Sequence, residues 1–352
     1  MRVPDQNKFL SNYLHSSSNY SQMTNTPFWI TEANVVSLIS LPEAVGALEQ
    51  ILVLEAAEKA ANLPKTHLMV GANDAMHALG ASIAGEDISG FKTWVNIAGK
   101  SSTIVSLFSL VDGALLAIVE ATALGQMRTA AMTGVGTKWL APKDANEMAV
   151  IGSGKQALPQ VAACTAVRPL KKLRVFSRTP TSKSRFAEAV RAEFSFEVVE
   201  ASSLEDAVTG VPIITLITNA TEPFLKSKMV AAGTHINAMG AIVPTRIEFF
   251  EDIFSRSDIV AVDSFRGVRD LSSEFRKHYK EDQDGWDSIQ PISKIIANQI
   301  QREKNCDISL FKAMGMGISD LALAVEIYKR AQKDGLCDTA PERIRTPPRL
   351  QR

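Results

Sequence analysis

The sequence predicts an α/β protein in which a parallel sheet covered by helices follows a mixed α+β unit. Three observations predict it. From residue 147 short apolar runs alternate with helical ones: EMAVIG (147–152), KLRVFS (172–177), FEVVE (196–200), PIITLIT (212–218), THINAMG (234–240) and DIVAVD (258–263), with helical stretches such as 155–167 and 181–194 between them. That rhythm marks βαβ units, whose strands are buried on both faces and so read as continuous apolar runs. Before residue 120 the pattern differs, with strands separated by Gly turns across 66–119. The chain also has 352 residues, more than one core of roughly 250–300 residues sustains, which implies about two domains.

Along the chain, residues 1–26 are polar, rich in Ser and Asn and without the apolar segment of a signal peptide; they are expected to be a mobile extension, with Met23 as an alternative start. Thr31 is placed to cap a helix beginning at Glu32, and residues 43–60 repeat apolar side chains at helical spacing. FKTWVNI (91–97) is the clearest strand. Asp112-Gly113 splits the most apolar stretch (103–119) and reads as a tight hairpin turn with positive φ at both central residues. A helix rich in small residues spans 127–140 and stops before Ala141-Pro142. The end of the chain predicts a helix near 292–302, a strand at 308–312, and a long helix from Ser319 to about Gln332. Its Leu321, Leu323, Ala324, Ile327 and Tyr328 form an apolar stripe suited to packing back on the first unit.

Lys+Arg and Asp+Glu both total 38, so no charge excess points to nucleic acid or an anionic membrane. No segment approaches the ~20 unbroken apolar residues of a membrane span. Cys164, Cys306 and Cys337 lie far apart with no CxxC pair. This argues against a disulfide framework or a metal site and fits a reducing, cytoplasmic compartment.

The sequence Gly152-Ser153-Gly154-Lys155-Gln156-Ala157 is a GxGxxA turn directly after a strand and at the start of a helix. The first Gly permits the sharp turn, the second lets backbone approach a pyrophosphate, and the small last residue lets helix and strand pack closely. Free N–H groups at the helix start then face the phosphates. Strand, helix and the following βαβ series are all present, so the segment reads as a Rossmann dinucleotide-binding domain. At the end of its second strand an NAD enzyme usually carries an acid for the ribose hydroxyls. This chain has Ser177-Arg178-Thr179 instead, a set suited to a 2′-phosphate. NADP(H) is therefore expected in preference to NAD(H).

Together with Gln126-Met127-Arg128-Thr129-Ala130-Ala131, with His235 through Gly240 followed by Pro244, and with Gly315 through Asp320, this turn resembles the ornithine cyclodeaminase/μ-crystallin family across roughly residues 28–335. The resemblance implies a homodimer, a substrate-binding and dimerisation domain from 27–128 and 319–352, and an NADP-binding domain from 129–318. It implies hydride transfer between nicotinamide and the α-carbon of a small imino or amino acid. Arg128 matches the family's carboxylate-binding arginine, Lys92 its substrate lysine, here the candidate catalytic proton donor, and Lys65 is the nearest match to a further family arginine. Arg is suited to bidentate carboxylate binding. Met76-His77 stands where the family has Met-Pro, which makes His77 a candidate neighbour of the substrate, against the alternative of a histidine hydrogen-bonded in a loop. Asp74 is a candidate partner for a substrate amine. On the cofactor side the motifs single out Thr218, Asn237, Met239, Gly240 and Gly315 beside Gln156 and the glycine turn. Ile242 stands where cyclodeaminases of the family carry an aspartate, and isoleucine exchanges no protons. The expected reaction is therefore reduction of an imino acid or ketimine, or its reverse, an L-amino-acid dehydrogenation. Two other readings remain at this point: cyclodeamination through a different acid such as Asp74, and a cofactor-binding protein without catalysis.

Overall fold

The computed structural model describes residues 26–71, 74–341 and 347–350. Apart from Thr26, the extension expected over 1–26 lies outside the described residues. The front unit opens with β1 (Phe28–Ile30) and α1 (Glu32–Leu38), which Thr31 caps by accepting the Asn34 N–H. Next comes α2 (Leu41–Ala56), starting before residue 43 because the Glu43 carboxylate reaches back to the Ser40 N–H (2.8 Å). It ends short of residue 60 because the chain turns through Glu58 (φ 58°) into β2 (Ala60–Asn62). Then follow β3 (Thr66–Met69), β4 (Ala75–Ile83), β5 (Ile88–Ile97), β6 (Lys100–Ser109) and β7 (Leu115–Glu120).

Strands β6 and β7 pair antiparallel as expected, but Asp112-Gly113 is not their two-residue turn. Only Gly113 has positive φ (74°), and the Ser109 hydroxyl gathers the Val111 and Asp112 N–H groups into a wider loop. The two-residue turn lies instead between β5 and β6, where Ala98 (φ 50°) and Gly99 (φ 76°) both take the left-handed conformation.

Helix α3 (Thr122–Leu140) begins before the expected residue 127, since the Glu32 carboxylate accepts the Thr122 and Ala123 N–H groups at its start. The change of unit expected at 128/129 falls inside this helix. Beyond it run β8 (Glu147–Ile151), α4 (Ala157–Val167), β9 (Lys172–Phe176), α5 (Pro180–Glu193), β10 (Glu197–Glu200), α6 (Leu204–Val208), β11 (Ile213–Leu216) and β12 (Thr234–Ala238). After these come β13 (Ser257–Val262), α7 (Phe265–Leu271), α8 (Ser273–Tyr279), α9 (Gln283–Asp287), β14 (Gln290–Pro291), α10 (Ile292–Ala297), β15 (Ile308–Lys312), α11 (Gly317–Asp334) and β16 (Asp338–Thr339).

Among the described residues these strands form two eight-stranded sheets. One runs β16-β1-β7-β6-β5-β4-β2, with β3 also on β4, and the other β10-β9-β8-β11-β12-β15-β13-β14. The second is parallel throughout, and its order reverses at β8, whose neighbours are β9 and β11. Ligands of such sheets bind outside the strand ends at that reversal, where the Gly152 turn sits. β15 inserts between β12 and β13, so the chain leaving it passes from one sheet to the other before entering α11. Residues of α2, α3 and α11 share one core with both sheets, including Leu48, Val135, Leu323, Leu107 and Phe311. α11 thus does return to the front unit, as its apolar stripe predicts. Among the described residues no single helix is long and apolar enough to cross a membrane.

Candidate active site

Strand alternation sets the substrate half. On β5, Phe91, Thr93 and Val95 are exposed, while Lys92 is buried and Trp94 half-buried on the opposite face. That inner face is covered by α11, whose first turn carries Asp320. Lys92 Nζ donates to Asp320 Oδ1 at 2.7 Å, and Arg128 Nε from α3 donates to the same oxygen at 2.9 Å. Asp320 Oδ2 is buried and unpartnered among the described residues. Gly125, one turn before Arg128, lies alongside Lys92: a Cβ there would meet its Nζ at 3.8 Å, an ordinary contact. Lys92 Nζ also lies 4.7 Å from the centre of the Trp94 ring. Burial pushes the Lys92 pKa down to about 8, with Asp320 opposing the fall and Arg128 adding to it.

Lys65, just before β3, joins this group. Its Nζ is 5.8 Å from the Trp94 ring centre, and its pKa is lowered by burial and then by Arg128. His77 stacks on Trp94 across the β4–β5 pair (4.6 Å between centres), and burial, followed by Lys65, His67 and Lys92, lowers its pKa. It is therefore neutral at pH 7, and its Nδ1 is buried without a partner. His77 sits on a strand inside the site rather than in a loop. Asp74 is a correction. Its carboxylate accepts the Ala98 N–H at 2.9 Å, at the far end of β5 from Lys92, so it fastens a turn instead of facing the cations.

In the cofactor half, Gly152 has φ 118°, and a Cβ on it would lie 2.4 Å from the Ile217 carbonyl oxygen, so only glycine fits. At Gly154 a Cβ would meet nothing within 4 Å, leaving open space above the start of α4. Ala157 is fully buried where α4 meets the sheet. Ser153 and Ser177 hydroxyls pair at 3.0 Å across the strand ends, beside exposed Arg178 and Thr179. The Gln156 side-chain oxygen is buried and unpartnered. These groups fit a dinucleotide: an open turn, a helix start aimed at it, and cation and hydroxyls at the end of β9.

Other expected cofactor residues are placed differently. Asn237 is fully buried; its amide donates to the Thr137 hydroxyl (3.0 Å) and its oxygen pairs with His235 Nε2 (2.9 Å). It ties β12 to α3, a correction to its expected contact with cofactor. Gly315 (φ 82°) lies against Arg128, where a Cβ would come 2.9 Å from a guanidinium nitrogen. It makes room for the Arg128 guanidinium, and Asp263 accepts its N–H at 2.8 Å. Met239 is buried and donates its N–H to the Leu216 carbonyl. Thr218 and Gly240 end neighbouring strands and are drawn together by Glu248, whose carboxylate accepts the Thr218 N–H (2.7 Å) and the Gly240 N–H (2.9 Å). Ile242 is exposed just beyond.

Two residues went unseen as site residues in the sequence, Asp320 and Glu248. Asp320 lies within a stretch noticed for its resemblance, but nothing local pairs it with Lys92, 228 residues away. Glu248 carries no motif.

The profile of the ornithine cyclodeaminase/mu-crystallin family matches residues 27–335. The chain belongs to that family. Among similar proteins, a Delta(1)-pyrroline-2-carboxylate reductase of Bacillus cereus is 30% identical over 235 residues, covering 66% of this chain and 72% of the relative. The solved Delta(1)-pyrroline-2-carboxylate reductase of Thermococcus litoralis, in complex with NADH and L-proline, is 27% identical with a TM-score of 0.82, covering 89% of this chain and 100% of that one. An archaeal alanine dehydrogenase dimer with bound NAD is 26% identical with a TM-score of 0.81, over 90% of this chain and 99% of that one.

Proposed function

We propose that the protein is an NADP(H)-dependent reductase of small imino acids, running in reverse as an amino-acid dehydrogenase. The observation that carries this reading is the pair of cations, Lys92 and Arg128, sharing one carboxylate and so retaining a net positive charge for a substrate carboxylate. Lys65 adds a third donor to that clamp. Bound NADPH would supply the hydride that reaches the α-carbon. Lys92 supplies the proton: its N–H bond breaks, a new one forms on the imine nitrogen, and C=N becomes CH–NH. The close packing of α11 and Trp94 keeps water from the ammonium, which is where its lowered pKa comes from.

Preference for NADP(H) rests on Arg178, exposed and without hydrogen-bond or ion-pair partners among the described residues, and on the absence of an acid at that strand end. A homodimer is supported by the outer face of the first sheet, where Leu68, Met76, Val95, Phe91 and Ile104 are exposed together across β3 to β6. Sedimentation at micromolar concentration is expected to give a dimer. The reading as a whole is tested by following NADPH absorbance with pyrroline-2-carboxylate, piperideine-2-carboxylate, and 2-oxo acids with ammonia or methylamine. Turnover of at least one imine is expected. Conversion of ornithine to proline with NAD and no added reductant, without turnover of any imine, would overturn it.

A further inference from the structure

We propose that Asp320 is a positioning residue for this reaction, fixing Lys92 and Arg128 side by side through one oxygen and keeping the Lys92 ammonium charged until the imine nitrogen takes its proton. The inference rests on the imino-acid reading of the same site. Asp320 is wholly buried and does not itself meet a substrate, whereas the side chains of Lys92 and Arg128 keep 6% and 15% of their exposure. The carboxylate stands behind the two cations, and their remaining N–H groups are left for the ligand. Its place in the first turn of α11 sets it at the positive end of an 18-residue helix, which stabilises a carboxylate there.

The charges decide what this contact does. Lys92 is faced by Asp320 from α11, Arg128 from α3, Lys65 ahead of β3, His77 from β4, and the ring of Trp94 on its own strand. Burial, Arg128 and Lys65 all favour the neutral amine; Asp320 alone opposes them. Lys92 and Arg128 against one carboxylate leave a positive surplus to which Lys65 adds, and a bound substrate carboxylate offsets it. Removing the charge of Asp320 would leave Lys92 buried beside two cations, with every remaining influence driving its proton off. After each turnover the amine regains a proton from water, so the cycle balances: one hydride and one proton enter, and one C–H and one N–H bond form.

The test is the pH dependence of kcat for imine reduction in the wild type, Asp320→Asn and Asp320→Glu. Wild-type rate is expected to fall as pH rises through about 8, as the ammonium is lost. In Asp320→Asn the fall moves down by about two pH units, so kcat at pH 7 drops about 10-fold while the difference narrows to about 2-fold at pH 6. Asp320→Glu keeps the charge and is expected to leave the fall near its wild-type pH, even if kcat drops because Nζ is displaced. A role in packing alone would lower rates without moving the profile, so an unmoved profile in Asp320→Asn overturns the proposal. A second readout needs neither turnover nor that variant: calorimetric binding of pyrrole-2-carboxylate to the wild type, in buffers of different ionisation enthalpy. Proton uptake near pH 8 is expected as the anion recharges Lys92, and uptake that Asp320→Glu shifts to another pH, or that is absent, overturns it. Failure to reduce any imine would count against the function and leave this binding test standing.

Discussion

Lys92 and Lys312 are both buried lysines facing a carboxylate, yet their surroundings are opposite in balance. Lys92 shares Asp320 with Arg128, two cations to one acid. Lys312, with no exposure, lies 3.6 Å from Glu274 and opposes the rise that burial imposes on the Glu248 pKa, one cation to two acids. The two glutamates are consumed by Thr218, Gly240, Ala241, Ser272 and the Glu248 N–H, which pins the loops after β11 and β12. Burial of a charge therefore does not by itself mark a site. A surplus of one sign distinguishes the Lys92 group from the balanced one, because an incoming ligand of opposite charge would complete it.

Replacing each lysine separates the two clusters. Lys92→Met is expected to lower kcat for imine reduction by roughly 10²–10⁴-fold with little change in thermal midpoint, measured by steady-state kinetics and calorimetry. Comparable losses of stability and activity would erase the distinction. Lys312→Met leaves two buried acids uncompensated, and denaturant unfolding should show a loss of about 3–5 kcal/mol, with the imino-acid KM of the folded fraction unchanged. On the cofactor side, Gly152→Ala forces a Cβ against the Ile217 carbonyl at positive φ, and dinucleotide affinity in a fluorescence titration should weaken by about 10-fold or more. Arg178→Ala carries the smallest effect, raising KM for NADPH about 10-fold while leaving NADH unaltered. Equal effects on the two cofactors would refute the 2′-phosphate role.

The parallel sheet was legible because its strands are buried on both faces and its helices alternate with them, so β8 through β13 stand where the apolar runs lie. The GxGxxA turn was legible for a backbone reason, and Gly152 bears it out in both φ and contact. Lys92 and Arg128 came from their motifs and do meet. Their shared partner did not, since an acid in a helix's first turn reads equally well as a local feature, and only the return of α11 sets what it touches. Asn237 and Asp74 were misread for the converse reason. Their motif positions suggested ligands, but their hydrogen bonds are spent on α3 and on the Ala98 turn. The Ala98-Gly99 turn escaped notice because alanine gives no signal of positive φ.

The central claim is tested most directly by isotope transfer. NADPH deuterated at the transferred position of its nicotinamide ring would be incubated with the enzyme and a cyclic ketimine, and the amino-acid product examined by mass spectrometry and proton NMR. The account predicts one deuterium at the α-carbon for each NADPH consumed, and a rate of label incorporation that falls roughly 10²–10⁴-fold in Lys92→Met. An α-carbon carrying only solvent hydrogen, or an undiminished initial rate of labelling in that variant, would contradict it.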